Sequence, residues 1–140
     1  MQLRAVILCA LLSCGFAGCK GKPPTEIKIP QEEVDRKNPV ESNPASIAEG
    51  MQYYGATDCA LCHGKYGDGK GVLAKDVRMN THDWRKPESL TKFTDGELSY
   101  LILKGKARMP AYEGRETPER VWKMVDYIRS MPAGGGAPKP

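Results

Sequence analysis

Apolar residues recur at helical spacing in three stretches of the chain, and each stretch opens on its own start signal. In the first, Asn43 and Pro44 pair a side-chain cap with a residue lacking the N–H that a helix start leaves unpaired, and Ile47, Gly50, Met51 and Tyr54 then share one face. The second opens on Thr94 with Glu97 three residues on, a capping box, then carries Leu98, Leu101 and Ile102 and stops at Gly105. The third opens on Thr117 and Pro118. Its stripe is Val121, Met124, Val125 and Ile128 up to the breaker Pro132, with Trp122 and Tyr127 as aromatic surface available to the first helix. No stretch alternates apolar and polar residues as a half-buried strand would. The pattern predicts an all-α fold of three to five helices. A glycine inside a helix costs about 1 kcal/mol and is kept where another backbone comes close, so Gly50 marks either a helix crossing or an early helix end.

The flanks read differently. After Arg4, residues 5–12 are apolar and small residues follow up to Cys19, the pattern of a secretory signal over residues 1–18 and too short to span a membrane. Its end, Phe16-Ala17-Gly18-Cys19, resembles the lipobox of bacterial lipoproteins, which implies lipidation at Cys19. Leu11-Leu12-Ser13-Cys14 also fits, making Cys14 the alternative, and signal cleavage without lipid is the plain one; the polar sequence that begins at Lys20 favours Cys19. Residues 19–43 carry several prolines among charged groups, which predicts an extended, mobile tether, although Ile27, Ile29 and Val34 offer contacts for an arm packed on the domain. Residues 44–132 form the compact domain, small for a stable core of its own. Residues 133–140 read as a disordered tail.

Between the first two helices stands Cys59-Ala60-Leu61-Cys62-His63. Two intervening residues let both sulfurs reach the vinyl groups on one porphyrin edge, and a histidine directly after the second cysteine sets an imidazole beside the iron, so the motif predicts covalent haem c. In bacteria c-type haem is attached outside the cytoplasm, in agreement with the export signal. The competing readings are weaker. A closed zinc site needs four ligands and the chain adds only His82, while a thioredoxin-like dithiol needs a βαβ setting that the pattern lacks. The following Gly64-Lys65-Tyr66-Gly67-Asp68-Gly69-Lys70-Gly71 permits close passage over a flat ligand. It lacks the preceding strand and the Ser or Thr of a phosphate loop. Five cysteines are then all used: Cys9 and Cys14 leave with the signal, Cys19 takes lipid, and Cys59 and Cys62 take haem.

Charge changes the picture little. Lys and Arg number 21 against 17 Asp and Glu, a surplus of four that falls to three when Arg4 leaves with the signal. Two haem carboxylates would offset much of that, so charge gives no argument for nucleic acid as a partner.

From about Ser46 to Met131 the chain resembles a class I monohaem cytochrome c. The resemblance rests on Gly50 and Tyr54, the Cys59-to-Gly64 motif, the glycine-rich loop, the helix opened by Thr94, Met109-Pro110 and the aromatic last helix. It implies one haem c per chain, with His63 on one side of the iron and Met109, 46 positions later, on the other. His82 is the alternative second ligand; Met51 and Met124 sit on helix stripes, Met131 ends the last helix and Met79 lies in the middle loop. One departure stands: an extra residue between the first-helix aromatic and Cys59 leaves it open whether Tyr53 or Tyr54 meets the last helix.

A closed His63/Met109 iron has no position for substrate, so the expected function is one-electron transfer, not enzyme chemistry. The haem pocket is expected to use Leu73, Leu90, Leu98 and Ile102, with Lys65, Lys70, Lys104, Lys106 and Arg108 as a steering patch for redox partner proteins or as ordinary solvated charges. The expected location is the periplasmic side of a bacterial membrane through lipid on Cys19, or else soluble in the periplasm. Two rival functions remain: the haem subunit of a larger oxidoreductase, and a five-coordinate haem enzyme or gas sensor.

Overall fold

The computed structural model describes residues 27–76 and 81–131. Six helices follow in chain order: α1 (Gln31–Val34), α2 (Pro44–Ala56), α3 (Cys59–His63), α4 (Pro87–Leu90), α5 (Asp95–Lys104) and α6 (Pro118–Ser130). Two isolated bridges are the only strand-like pairings among the described residues. The signal over residues 1–18, Cys14, Cys19, Met79 and the tail over residues 133–140 lie outside the described residues.

Helices α2, α5 and α6 begin at the residues whose side chains cap them. The Asn43 side chain accepts from the Ala45 and Ser46 N–H groups while Ser46 Oγ returns to the Asn43 N–H. Thr94 and Glu97 cap each other's backbone in the same way, and Thr117 Oγ1 accepts from the Arg120 N–H. Capping of this kind satisfies amides that the first turn leaves unpaired.

The frame is the crossing of α2 and α6. A Cβ on Gly50 would overlap the Lys123 carbonyl and stand 2.9 Å from Tyr127 Cβ, so the two backbones meet there and α2 runs on past Gly50. One turn later Tyr54 packs edge-on against Tyr127, with centroids 5.4 Å apart. Both tyrosines thus meet the last helix, Tyr54 through Tyr127 in the core and Tyr53 through Arg120 nearer the surface. Tyr53 is half-buried under the Arg120 guanidinium, 4.9 Å above its ring. On the same seam Ser46 Oγ donates to the buried Asp126 carboxylate, and Lys123 reaches Glu49 and Glu119, each at 2.8 Å.

From residue 27 onward the expected tether is instead an arm docked on the domain. Glu33 O fills the space a Cβ on Gly96 would take, and Thr94 Oγ1, besides capping α5, donates to Val34 O at 2.7 Å. Asn38 Nδ2 donates to Trp122 O at 3.1 Å, and the Arg36 guanidinium lies 5.9 Å over the Trp122 ring. Proline content misled here because the partners of the arm are supplied by α5 and α6, far along the chain.

Arg129 fastens the end of α6 to the α4–α5 segment. Its guanidinium donates to Asp95 Oδ1 at 2.7 Å, to Leu90 O at 2.7 Å and to Phe93 O at 2.6 Å.

Two outcomes follow for stability. Gly50→Ala is expected to lose about 2 kcal/mol in chemical denaturation because the crossing must open; a gain near the roughly 1 kcal/mol that alanine normally brings to a helix would refute the close approach. Arg129→Ala, which strips charged donors from two carbonyls, is expected to lose about 2–3 kcal/mol and to speed amide exchange around residues 90–95. Unchanged exchange there would show that the guanidinium does not hold the segment.

Candidate functional site

The Cys-Ala-Leu-Cys-His motif forms the single turn α3, in which positions i, i+3 and i+4 share a face, so Cys59, Cys62 and His63 are grouped by helix geometry alone. A sharp reversal sets the turn: Thr57 N–H bonds Tyr53 O at 2.9 Å, and Asp58 is left-handed with φ 63°. The glycine-rich loop then folds back behind α3. Gly69, Gly71 and Leu73 donate their N–H groups to the carbonyls of His63, Cys62 and Leu61 at 2.8, 3.2 and 2.8 Å, and Tyr54 Oη donates to Gly64 O at 2.9 Å. The loop was expected to pass over a flat ligand. It satisfies the open end of α3 instead, and none of its residues lines the cavity described next.

Beside α3 lies an apolar cavity of about 390 Å³. Cys59 and His63 form one wall, Leu98, Leu101 and Ile102 of α5 a second, and Met124 and Ile128 of α6 a third. Trp84, Phe93 and His82 close it from the segment before α5, and Met109 from the segment after it. Leu98 and Ile102 are where the pattern put them. Leu73, 39% exposed, and Leu90, packed against the core, do not line the cavity. Met124, expected only as a packing residue, is both fully buried and on the wall.

His63 Nδ1 is enclosed by protein without a hydrogen-bond partner. Burial, and then the charge of His82, push the pKa of this imidazole down, so it stands neutral with a lone pair to offer. Trp84 stacks at 6.3 Å from the His63 ring. The Cys59 thiol sits 3.2 Å from Thr57 Oγ1, and burial pushes its pKa up. Cys62 is half-buried and off the cavity wall.

Met109 is presented by a tight turn. Gly105 ends α5, Lys106 and Met109 exchange backbone hydrogen bonds at 3.1 and 2.9 Å, and Ala107 between them is left-handed at φ 54°. A non-glycine residue held there costs about 1–3 kcal/mol and occurs where a turn serves a site. The structure thus brings Cys59, His63, Met109 and His82 to one cavity. Trp84 and Phe93 were missed as wall residues because they stand in a segment with no helical period. Only their aromatic character marked them.

The residues present fit a haem. The cavity is broad and apolar, it offers an imidazole and a thioether, and a thiol lies on its wall with a second one turn away. Among the described residues no group of three or more His, Cys, Asp and Glu side chains gathers to hold a bare metal ion, which removes the zinc reading for them.

Residues 45–128 match the family model described as cytochrome c oxidase, cbb3-type, subunit III. Cytochrome c6 of Parathermosynechococcus lividus is 30% identical over 96 residues, 66% of this chain and 99% of that protein. Cytochrome c6 of Thermosynechococcus vestitus is 30% identical over 96 residues, 77% of its length. Among solved structures, the KustC0563 c-type cytochrome superposes with TM-score 0.52 at 25% identity, over 59% of this chain and 96% of that one. The Kuenenia stuttgartiensis reducing HAO-like protein complex Kustc0457/Kustc0458 superposes with TM-score 0.57 at 20% identity over 67% of this chain, which spans about half, 47%, of that longer chain and shares its fold. With the all-α frame and the cavity beside the Cys-Ala-Leu-Cys-His turn, these matches show that the chain belongs to the c-type cytochrome family of that model and is an electron-transfer protein carrying covalently bound haem c.

Proposed function

We propose that the chain holds one haem c through thioethers to Cys59 and Cys62, ligates its iron with His63 and Met109, and passes single electrons between redox proteins without acting as an enzyme. The observation that carries this reading is that His63 and Met109 line the same apolar cavity as Cys59. Bound haem c supplies an iron that changes by one electron. The chain supplies the rest. His63 would offer the iron a buried neutral imidazole and Met109 a thioether; a haem held by both would have no place for substrate and a raised potential. Leu98, Ile102 and Ile128 keep water from the cavity, so little reorganises when the charge changes.

Of the expected steering patch, Lys104 is committed to Glu113 at 2.5 Å, whereas Lys106 and Arg108 are exposed at the cavity rim and fit the approach of an acidic redox partner. The proposed setting is the periplasmic face of a bacterial membrane, through lipid on Cys19. No described helix is long and apolar enough to cross a membrane, so attachment falls to the N-terminal segment in this reading.

A second reading has its own support: the matched family is described as an oxidase subunit, and one superposing structure is part of an HAO-like complex. In that reading the same haem site serves a fixed partner. Native mass in detergent extract separates the two, a single chain favouring the free carrier and a stoichiometric assembly the subunit.

Met109→Ala is expected to abolish the near-infrared sulfur-to-iron band and to let the reduced protein bind carbon monoxide, which the unaltered protein does not. An unchanged band in the variant would remove Met109 as ligand in favour of another methionine, whereas absence of the band from the unaltered protein would give the role to His82. Carbon monoxide binding by the unaltered protein would instead establish the five-coordinate reading.

A further inference from the structure

Apart from Tyr54, Cys59 and His63, the polar residues on the largely apolar cavity wall are Thr81, His82, Lys106 and Arg108, and Lys106 lies near enough to His82 to bear on its charge. We infer that His82 and Lys106 form the seat of the two haem carboxylates and thereby help set the reduction potential, an inference that rests on the haem reading above. Haem is a flat apolar body with carboxylates on the edge away from its vinyl groups. A protein that holds it must offer cations or donors to that edge, and His82 and Lys106 are such groups on the cavity wall.

Among these polar residues the roles separate. Thr81 Oγ1 already donates to Gly69 O at 2.5 Å. The His82 ring makes no hydrogen bond among the described residues, yet its place is fixed: Trp84 stands 5.2 Å from it and Phe93 meets it edge-on at 5.3 Å. Such packing spends no internal hydrogen bond and leaves both ring nitrogens for a ligand. Lys106 opens the turn that carries Met109, is exposed, and forms no ion pair among the described residues. The neighbouring acid, Asp83, is occupied by Arg85 at 2.8 Å.

Positive charge is therefore gathered here without a protein carboxylate to answer it. Burial, and then Lys92 and Lys106, push the His82 pKa down, and His63 faces it from α3. Anions of the cofactor would complement this arrangement, and charged hydrogen bonds to them would be strong. The electronic consequence has a sign. A carboxylate near the iron favours the oxidised form, and a donor or cation answering that carboxylate weakens the preference. Removing His82 or Lys106 shifts the redox equilibrium toward the oxidised state.

The test is a redox titration with redox-difference infrared spectra on the haem-loaded protein and three variants. His82→Phe, which keeps the aromatic packing, is expected to move the one-electron equilibrium several-fold toward oxidation, where tenfold corresponds to about 59 mV. It is also expected to shift the haem carboxylate band while retaining the sulfur-to-iron band. His82→Asn, which keeps a donor, recovers part of both changes. Lys106→Gln, on the exposed turn, gives a smaller shift that fades with added salt, and it serves as the check should His82→Phe fail to fold. Unchanged potential and carboxylate bands in these variants overturn the inference, as does absence of the sulfur-to-iron band from the unaltered protein, which would leave His82 as the axial ligand. Unaltered protein without covalent haem would overturn the functional reading first and this seat with it.

Discussion

An apolar hollow that its own side chains do not fill governs this fold. The hollow, of about 390 Å³, is walled by α3, α5 and α6 and by the segments on either side of α5. The helices, the aromatic closure by Trp84 and Phe93, and the thiols of α3 are consistent with a cofactor acting as part of the core.

The frame that keeps the hollow open is the contact of α2 and α6 at Gly50, where no side chain intervenes. Beside the crossing Tyr54 packs edge-on against Tyr127, and Tyr54, Met124 and Ile128 all line the cavity. The loop after α3 and the turn before Met109 complete the site through backbone geometry, the first by satisfying the exposed carbonyls of the motif and the second by a left-handed Ala107. The arm over residues 27–43 lies outside the family-matched span of 45–128 and adds a layer on α5 and α6 away from that machinery.

What the sequence disclosed was what short-range physics controls. Asn43, Thr94 and Thr117 cap the three long helices because capping is settled within four residues, and their stripes face the core because period decides the face. The attachment motif was legible for the same reason, its geometry being confined to one turn. Met109 came from resemblance; local pattern set aside Met51 and Met124, on helix stripes, and Met131, at a helix end, but did not single out Met109. The arm was misjudged because docking depends on Gly96, Thr94 and Trp122, none of them near it in the chain. The glycines of the loop permit close passage over a flat ligand, but its backbone bonds to α3 hold the loop and Leu73 off the cavity wall. Trp84, Phe93 and the approach of Lys106 to His82 emerge only when separate segments converge.

The central claim is that one haem is bound covalently at α3. Mass spectrometry of the peptide spanning residues 59–63, taken from protein produced with the machinery for haem attachment, tests it most directly. The account predicts that peptide carrying a single haem mass with neither thiol free to alkylate. Recovery of the peptide with both Cys59 and Cys62 alkylated and no haem mass would contradict it.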